Sequence, residues 1–384
     1  MKKLAIVITH PIQYYAPVFK HLTERKKLQI KVFYTWGKLE YPYYDPGFGR
    51  AIQWDIPLLE GYDYTFVRNN SFFPGSNRFW GAINFSLPYE IERWQPEALL
   101  VVGWSFYSHL VAMIYFKNKI PILFRGDSTL LGEKPGLRQL LRNIYLPWVY
   151  RHVDRALYVG KNNKDYFLKY GLKDEQLFFV PHAIDTIRFQ DAIEENKKKA
   201  MAWRRSLGIT DDKIVFLFAG KLDPQKNPLL LLEAFKQLND TKAHLIFVGS
   251  GKLEEELKRQ ASARVHFIDF QNQAIMPVVY HLGDIFILPS QRNETWGLAA
   301  NEAMACGLPI LVSDKCGCAV DLVVDGKNGY IFPAHNKDEL WTKMQGMLDK
   351  NKLKSMGVAS LDLIHGWSMD SLCSGIEESI IALS

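Results

Sequence analysis

The sequence predicts an α/β protein made of two doubly wound domains, each built on a parallel sheet. The chain has 384 residues, more than twice the length of a typical domain of about 150 residues, so two separate cores are expected. Short apolar runs rich in Val, Ile, Leu and Phe recur along the chain, and most are followed by a Gly, Pro or Ser turn signal. Segments with helical spacing separate the later runs, and this β-α-β-α order is typical of parallel sheets.

The apolar runs have the length and composition of strands that are buried on both faces. In chain order, the predicted strands are residues 4–9, 30–34, 99–102, 122–124, 156–159, 214–218, 244–248, 285–288 and 310–312. The helices predicted between the later strands are residues 228–238, 253–259, 276–282 and 298–306. The sequence contains no repeated unit of about 20 to 50 residues, which excludes solenoids and propellers.

A charged, hydrophilic stretch, residues 191–213, carries no strand signal and resembles a linker between domains. Residues 1–190 are therefore predicted to form the N-terminal domain and residues 191–366 the C-terminal domain. Residues 367–384 are predicted to form a final helix, in which Ser368 is the N-cap and Leu372 and Ile376 lie on the apolar face. This helix could pack on the C-terminal domain or back on the N-terminal one.

Composition and charge exclude several classes of protein. With 48% hydrophobic and 23% charged residues, the chain is an ordinary globular sequence and not a disordered, collagen-like or coiled-coil one. The net charge of +6 at pH 7 favours an anionic ligand or surface and argues against a protein that coats nucleic acid. Of the four cysteines, Cys306, Cys316 and Cys318 lie close together, and the set forms neither a disulfide framework nor a paired zinc motif.

The chain is expected in the cytoplasm. The apolar run that follows Met1-Lys2-Lys3 is too short for the core of a signal peptide, and no apolar run approaches the roughly 18 residues needed to span a bilayer. A contact with the inner face of the membrane is a further option, because residues 135–153 form a basic amphipathic segment with Arg138, Arg142 and Arg151. Such a helix could equally cover a core.

In the most informative stretch of the sequence, two glutamates flank a predicted helix start. Glu294 lies in a polar loop that follows an apolar strand, and Glu302 lies on the helix that begins near Gly297. Ligands of open α/β sheets bind at the carboxyl ends of strands, so Glu294 is expected beside a ligand. The first N–H groups of the helix, those of Gly297, Leu298 and Ala299, suit a phosphate. One glutamate could accept hydrogen bonds from sugar hydroxyls while the other reaches a ribose diol.

The spacing of these glutamates matches a known family. Seven residues separate Glu294 from Glu302, and the helix continues as Glu302-Ala303-Met304-Ala305-Cys306-Gly307-Leu308-Pro309. The combination resembles the GT-B glycosyltransferases of the large retaining family 4, whose C-terminal half carries E-x7-E before an E-A-M-A-x-G-x-P helix.

A second element of the same half is similar to the family's G-R-L-x-x-x-K-G loop. It runs from Phe218 to Pro228, with Lys221 and Lys226 as its two basic residues. By this resemblance, Lys221 and Lys226 hold the diphosphate of a nucleotide sugar, Glu294 acts as a catalytic residue that orients the sugar, and Glu302 binds the ribose. The further donor-binding candidates are main-chain positions in these loops and in the turn at 248–251: Gly220, Gly249, Gly297, Leu298 and Ala299.

The resemblance also implies an overall arrangement. It consists of two Rossmann-like, doubly wound domains facing a cleft, with the nucleotide diphosphate sugar on the C-terminal domain and the acceptor on the N-terminal one. Retention of the anomeric configuration is implied by the resemblance alone.

The N-terminal half resembles a bacterial subgroup that acts in surface-polysaccharide assembly. The segments that carry this likeness are residues 10–17, 54–62 and 124–128. Family members often have a Gly-Gly loop and a His at two positions where this chain has His10 to Gln13 and Arg125 to Asp127. We take Asp127 and His10 as catalytic candidates and Arg125 and Gln13 as acceptor-side candidates. Asp127 could instead form a structural salt bridge, and His10 could be a turn residue.

The leaving diphosphate is expected to be held without a metal ion. Enzymes that bind a nucleotide sugar through a divalent cation need closely spaced acids, commonly D-x-D, because hard oxygen ligands must anchor the ion. No two aspartates of this sequence are two positions apart. Lys221, Lys226 and the helix start would then neutralise the anion. We expect no metal and no cofactor, with the nucleotide sugar as substrate.

The function predicted from these residues is hexosyl transfer from a nucleotide diphosphate sugar to a glycan or lipid-linked acceptor in bacterial surface polysaccharide synthesis. Two alternatives stay open, a sugar-nucleotide 2-epimerase of the same architecture and a non-catalytic protein that binds a sugar nucleotide or glycan. No nucleic-acid partner is expected. Aromatic residues within 71–94 could line an acceptor groove or form a small core.

Overall fold

The computed structural model describes residues 1–37, 43–45 and 47–382. These residues form two compact units, the first drawn from Met1–Pro42, Ile56–His182 and Met369–Ser384, and the second from Tyr43–Asp55 and Ala183–Ser368. The change from one unit to the other therefore falls after His182, whereas the sequence places it after residue 190. A short segment from the N-terminal part of the chain also belongs to the second unit.

The described strands and helices alternate along most of the chain. The strands are β1 (Lys2–Ile8), β2 (Leu28–Tyr34), β3 (Tyr43–Asp45), β4 (Arg50–Ile52), β5 (Asp63–Phe66), β6 (Ala98–Val102), β7 (Ile122–Arg125), β8 (Arg155–Tyr158), β9 (Leu177–Phe179), β10 (Ile214–Ala219), β11 (Ala243–Val248), β12 (Val265–Ile268), β13 (Ile285–Leu288), β14 (Ile310–Ser313) and β15 (Gly329–Phe332). The helices are α1 (Ala16–Glu24), α2 (Leu87–Trp94), α3 (Tyr107–Phe116), α4 (Leu137–Tyr150), α5 (Lys161–Lys169), α6 (Thr186–Gln190), α7 (Ile193–Ser206), α8 (Pro228–Gln237), α9 (Glu254–Gln260), α10 (Met276–Tyr280), α11 (Leu298–Ala305), α12 (Ala319–Leu322), α13 (Lys337–Gln345), α14 (Lys350–Ile364) and α15 (Met369–Ile381). Short 3-10 turns lie at Phe79–Gly81, Asp174–Gln176, Gln273–Ile275 and His365–Trp367.

The first unit is built on a parallel sheet of seven strands in the order β5-β2-β1-β6-β7-β8-β9. β1 and β6 lie in its middle and are almost fully buried, as expected for apolar strands covered on both faces. One face packs against the surrounding helices in a core that includes Leu99, Val101, Met113, Val149 and Phe167.

The second unit has a parallel sheet of six strands in the order β12-β11-β10-β13-β14-β15. Its core includes Phe216, Phe218, Leu231, Leu245 and Ile287. The two parallel sheets with their helices confirm the predicted fold class. The strands that form the edges of the sheets, β5, β9, β12 and β15, were not predicted from the sequence.

The stretch expected to be a linker is a helix of the second unit. α7 packs against α10, and its residue Arg204 is buried. The guanidinium of Arg204 donates to Asp284 at 3.1 Å and to the carbonyl oxygen of Lys213 at 2.9 Å. The high charge of this stretch therefore reflects the exposed face of a helix and one buried ion pair.

The C-terminal helix α15 belongs to the first unit, where it packs against α1. The guanidinium of Arg25 on α1 binds Glu377 of α15 through two hydrogen bonds of 2.7 and 2.9 Å and also donates to Asp370 at 2.8 Å. Glu377 is buried, and these hydrogen bonds and the charge of Arg25 lower its pKa in spite of the burial. The ion pair between Arg25 and the buried Glu377 thus links the C-terminal helix α15 to the first helix, α1.

Candidate active site

Two loops of the second unit leave neighbouring strands where the sheet changes its winding direction. β10 lies between β11 and β13, and ligands of open α/β sheets bind at such a point, beside the carboxyl ends of the strands. The loop after β10 carries Gly220, Lys221 and Lys226, and the loop after β13 carries Glu294. The fold therefore brings together Lys226 and Glu294, which are 68 positions apart in the sequence.

Lys226 and Glu294 form an ion pair. The ammonium group of Lys226 donates to Oε2 of Glu294, and the hydroxyl of Ser290 donates to the same oxygen at 2.8 Å. The carboxylate of Asp223 accepts from the backbone N–H of Lys226 at 3.0 Å, which closes the turn that leads into α8. Only 21% of the lysine side chain and 11% of the glutamate side chain are exposed. A donor-binding candidate and a catalytic candidate thus hold each other in place.

Lys221, the other predicted phosphate ligand, is also paired with a carboxylate. Its Nζ lies 3.0 and 3.1 Å from the two carboxylate oxygens of Asp45 and 4.9 Å from the centroid of the Phe48 ring. Asp45 ends β3, a short strand that belongs to the same compact unit as Lys221. The sequence does not single out Asp45, because an aspartate outside any motif carries no signal of its own.

The start of α11 depends on Gly297. The φ angle of this residue, +104°, lies in the left-handed region, and a Cβ atom here would lie 2.7 Å from Cδ2 of Leu288. Leu298 and Ala299 are then the first residues of the helix. The first N–H groups of a helix have no acceptor within it, and together with the helix dipole they favour an anion.

Glu302 lies one turn into α11 and is almost fully buried, with 3% of its surface exposed. The hydroxyl of Tyr280, at the end of α10, donates to Oε2 of Glu302 at 2.6 Å. Tyr280 therefore orients this carboxylate, a contribution that no sequence motif indicates. The ribose contact of Glu302 stays a prediction.

Packing explains why residue 249 is a glycine. Its φ is +132°, and a Cβ atom would lie 2.0 Å from the carbonyl oxygen of Gly220. The N–H of Gly220 donates to the carbonyl oxygen of Val248 at 3.0 Å. The turn after β11 thus lies directly on the turn after β10, and contacts of Gly249 or Gly220 with a donor stay predictions.

In the first unit, His10 and Gln13 lie in the connection between β1 and α1. The Nδ1 atom of His10 is 3.0 Å from the hydroxyl of Thr9, and its ring meets that of Trp36 edge-on with the centroids 5.1 Å apart. Burial lowers the pKa of His10 to about 4. The imidazole is therefore neutral at pH 7, which is the form that can accept a proton.

Arg125 is the last residue of β7 and is buried, with 1% of its surface exposed. Its guanidinium donates to the carbonyl oxygens of Val180 and Pro181 at 2.8 and 3.0 Å, and its Nε donates to the hydroxyl of Tyr15 at 3.3 Å. These bonds hold the chain just before His182. The geometry favours a positioning role for Arg125 over direct contact with an acceptor.

Asp127 lines a cavity of about 530 Å³ in the first unit. The walls of this cavity include Trp104, which follows β6, and Arg138, Arg142 and Tyr145 of α4. A cavity with an acid, two bases and aromatic rings can hold a polar molecule that carries negative charge. This placement supports Asp127 as a pocket residue without testing its chemical role.

His182 ends the main part of the first unit and is buried. Burial lowers its pKa to about 4; the charge of Arg125 acts in the same direction, and that of Asp127 acts against it. His182 is therefore a neutral imidazole that interacts electrostatically with two of the predicted site residues. The sequence predicts a structural or hinge role for His182 rather than a place among the site residues.

The cysteines do not contribute a reactive group to either unit. All four are buried thiols. Burial raises the pKa of Cys316 to about 12, and the charge of Glu294 acts in the same direction. Within the ranges that the structure describes, no three His, Cys, Asp or Glu side chains are grouped so that they could hold a metal ion.

Two family models match the chain. One, described as Glycosyltransferase Family 4, matches residues 16–188, and the other, described as Glycosyl transferases group 1, matches residues 200–358. The second match includes Lys221, Lys226 and Glu294, and the first includes Asp127. The chain belongs to the GT-B glycosyltransferases of family 4.

Curated members of the glycosyltransferases match parts of the chain. The lipopolysaccharide 1,2-N-acetylglucosaminetransferase of Salmonella typhimurium is 36% identical over 141 residues, which are 33% of this chain and 37% of that protein. A D-inositol 3-phosphate glycosyltransferase of Geodermatophilus obscurus is 28% identical over 221 residues, which are 53% of this chain and 47% of that protein. The chain thus spans less than half the length of these two relatives.

A solved structure matches along the whole chain. The crystal structure of HepE from Anabaena, in complex with UDP and glucose, covers 100% of both chains with a TM-score of 0.74 and 16% sequence identity. At this level of identity the similarity concerns the fold, and it agrees with the GT-B assignment of this family 4 member.

Proposed function

We propose that this family 4 member is a retaining, metal-independent hexosyltransferase. It moves a sugar from a nucleotide diphosphate sugar to a glycan or lipid-linked acceptor. The observation that carries the proposal is the Lys226–Glu294 pair beside Lys221 and the start of α11, at the carboxyl ends of β10 and β13. Cations and helix N–H groups suited to a diphosphate lie here next to a carboxylate that can orient a sugar.

In the proposed reaction, the bond between the anomeric carbon and the diphosphate breaks, and the diphosphate leaves with the bonding electrons. The acceptor hydroxyl forms the new glycosidic bond, and its proton passes to the leaving diphosphate. Negative charge grows on the diphosphate as the anomeric carbon becomes positive. Lys221, Lys226 and the N–H groups of Leu298 and Ala299 then bind the diphosphate more tightly than in the ground state, which lowers the barrier.

Each glutamate has a separate part in this proposal. Glu294 accepts hydrogen bonds from the hydroxyls of the transferred sugar, held in place by Lys226 and Ser290. Glu302 binds the ribose, and Tyr280 sets the direction of its carboxylate. The donor therefore binds to the second unit alone.

The acceptor is proposed to bind the first unit, in the cavity that Asp127 lines. Asp127 and His10 are the catalytic candidates there, and Gln13 is an acceptor-side candidate. Arg125 acts by positioning the chain before His182. Arg138 and Arg142 in the wall of the same cavity suit an acceptor that carries phosphate or carboxylate groups.

The relatives support the substrate classes that are proposed. HepE of Anabaena was crystallised with UDP and glucose, which supports a nucleotide sugar as donor. The Salmonella relative is named for lipopolysaccharide, which supports a role in bacterial surface polysaccharide synthesis. This chain would act on the cytoplasmic side, where nucleotide sugars are made.

The proposal extends to a contact with the membrane surface through α4. Leu137, Leu140, Leu141 and Ile144 follow helical spacing along one face of α4, and each is more than half exposed. Two arginines, Arg138 and Arg142, lie among them in the sequence of the helix. An exposed apolar stripe with adjacent cations fits the interface of an anionic bilayer. No helix within the described ranges has the length and hydropathy to cross a bilayer.

Sedimentation with vesicles tests the membrane contact. We expect the protein to sediment with vesicles that contain phosphatidylglycerol and to bind phosphatidylcholine vesicles less. The double change Leu140→Ser and Ile144→Ser should abolish the difference, whereas Val358→Ser, an exposed apolar residue of α14, should not. Equal sedimentation of the parent and the α4 variant would contradict the contact.

Nucleotide binding tests the donor site directly. A ligand that binds the folded protein raises the melting temperature by mass action, so one of UDP, GDP or ADP should do so without added metal. Lys226→Met should weaken binding roughly 10- to 150-fold, since a lost charged hydrogen bond costs about 1.5 to 3 kcal/mol. Lys327→Met, which changes an exposed lysine of the same unit, is the matched control. Unchanged binding in Lys226→Met would refute its role.

Product analysis separates transfer from the two alternatives. A transferase enlarges its acceptor, an epimerase converts the sugar nucleotide without an enlarged product, and a binding protein leaves the donor intact. Mass spectrometry distinguishes the three outcomes. NMR of the product then gives its anomeric configuration, and inversion relative to the donor would refute retention.

A further inference from the structure

The segment that contains β3 and β4 is attached to the second unit along most of its length. β3 and β4 pair antiparallel, and Arg50 of β4 forms an ion pair with Asp269 at 2.8 Å. The hydroxyl of Ser250 donates to the carbonyl oxygen of Phe48 at 2.9 Å. Further along, the amide of Asn272 donates to the carbonyl oxygen of Gln53 at 2.7 Å.

The turn of this hairpin lies on Lys221. Both oxygens of Asp45 are within hydrogen-bond distance of the ammonium group, at 3.0 and 3.1 Å. A Cβ atom on Gly47 would lie 2.6 Å from the same Nζ, so a larger residue here would displace the ammonium group. The Phe48 ring covers the ammonium group with its face, 4.9 Å from the ring centroid. Asp45, Gly47 and Phe48 thus surround the cation.

The direction of the Asp45 carboxylate is set by its own turn. Oδ1 accepts hydrogen bonds from the backbone N–H of Gly47 at 2.7 Å and of Phe48 at 3.3 Å. This is the Asx arrangement, in which an aspartate or an asparagine closes a turn. Because these hydrogen bonds hold Oδ1, the Asp45 carboxylate faces Lys221. The Asp45 side chain is 15% exposed.

We propose that Asp45 is an internal competitor of the donor diphosphate. The diphosphate and the Asp45 carboxylate are both anions that need the ammonium group of Lys221, so they cannot both pair with it at full strength. Donor binding then displaces Asp45 from Lys221, and the hairpin and the nucleotide exclude each other in part. This inference rests on the proposed diphosphate role of Lys221.

The two lysines differ in this respect. The partner of Lys226 is Glu294, which the proposed reaction uses to orient the sugar. Asp45 has no part in the proposed chemistry, and it reaches Lys221 from a separate hairpin. The carboxylate on Lys221 therefore lowers the affinity of the empty site for anions without contributing to the reaction.

Asp45→Asn is the decisive variant. Asparagine keeps the Oδ1 acceptor and hence the turn, and it removes only the negative charge. We expect the Kd for the nucleoside diphosphate, measured by calorimetry with UDP, GDP and ADP in turn, to fall about three- to fivefold, as for the loss of a partly exposed ion pair. In a Lys221→Met background the same change should have no effect, because the cation for which the anions compete is absent.

Asp269→Asn is the matched control. It removes one carboxylate from the same unit and weakens the anchor to Arg50, and it leaves the contacts of Lys221 unchanged. Its Kd should fall less than that of Asp45→Asn. An equal gain in Asp269→Asn and Asp45→Asn would overturn competition at Lys221, since loosening the hairpin would then suffice.

The two proposals fail in different ways. If the parent binds one of the nucleotides and Asp45→Asn binds it no more tightly, the competition is refuted and the donor site stands. The competition is also refuted if Asp45→Asn gains the same factor in the Lys221→Met background. If neither the parent nor Asp45→Asn binds any of the three nucleotides, the proposed donor site itself is refuted, and the competition with it.

Discussion

The charged candidate residues of the second unit pair with other side chains, whereas Arg125, a candidate of the first unit, is buried and bound to the protein's own backbone. Lys226 and Lys221 each hold a carboxylate and keep part of their side chain exposed. Arg125, by contrast, directs its guanidinium to Val180 and Pro181.

This difference bears on how the proposed donor and acceptor sites would bind their ligands. In the second unit an anion can replace a carboxylate at little cost, because the lysine loses one anionic partner and gains another. In the first unit, Arg125 already donates to two backbone carbonyl oxygens, so it does not offer an exchangeable charge of this kind. The proposed acceptor site of the first unit is therefore a cavity that Asp127 lines, and the proposed donor site of the second unit is a set of charges whose partners can be exchanged.

The largest expected effect is that of Glu294→Gln. The change removes the charge that pairs with Lys226 and that, in the proposed reaction, orients the sugar. We therefore expect kcat for donor turnover to fall about 10²- to 10³-fold, as for other groups that act on developing charge. Glu233→Gln, on the exposed face of α8, is the control and should match the parent. If Glu294→Gln had the kcat of the parent, the catalytic role proposed for Glu294 would be refuted.

Arg125→Met should change stability more than ligand binding. The change leaves the carbonyl oxygens of Val180 and Pro181 without their donors in the interior, which costs about 2 to 3 kcal/mol of unfolding free energy. Urea unfolding measures it, with Arg93→Met, an exposed residue of α2, as control. If Arg125→Met unfolds like the parent and loses transfer activity, Arg125 contacts the acceptor, and the contrast between the units disappears.

The smallest effect concerns pH and a buried histidine near the Asp127 cavity. His109 lies 2.9 Å from the Thr35 hydroxyl and 2.7 Å from the carbonyl oxygen of Gly103, a residue of the cavity wall. Burial lowers its pKa to about 4, against about 6.5 in the unfolded chain. Below pH 6.5 the unfolded chain therefore binds a proton that the folded chain binds only near pH 4, and stability falls as the pH falls through this window.

We expect this histidine to account for about 2 kcal/mol of lost unfolding free energy at pH 5 relative to pH 7. Urea unfolding at several pH values should show a shallower pH dependence in His109→Gln. The exposed His335, changed in the same way, should leave the dependence as in the parent. A parental pH profile in His109→Gln would mean that this ring is not held neutral by burial.

The strands show which parts of the fold could be predicted. Central strands such as β10 and β11 are buried at every position, so their apolar runs are continuous and stand out in the sequence. The edge strands β5, β9, β12 and β15 are short and only partly buried. Their mixed polarity resembles that of loops, which is why they were missed.

The site residues divide in a similar way. Some site residues lie in short motifs, and the spacing within each motif identifies them in the sequence. They are Lys221, Lys226, Glu294 and the helix start at Gly297. Asp45 and Tyr280 lie outside these motifs and reach Lys221 and Glu302 only through the fold.

The sequence by itself determined the two parallel-sheet domains and the lysine and glutamate loops, because apolar runs and closely spaced motifs are local properties of the chain. Tertiary structure decided that a hairpin from the N-terminal part joins the second unit, that α15 packs with α1, and that Arg125 is buried. These features depend on contacts between segments far apart in the chain, and the energy of such contacts is set by what surrounds each side chain after folding.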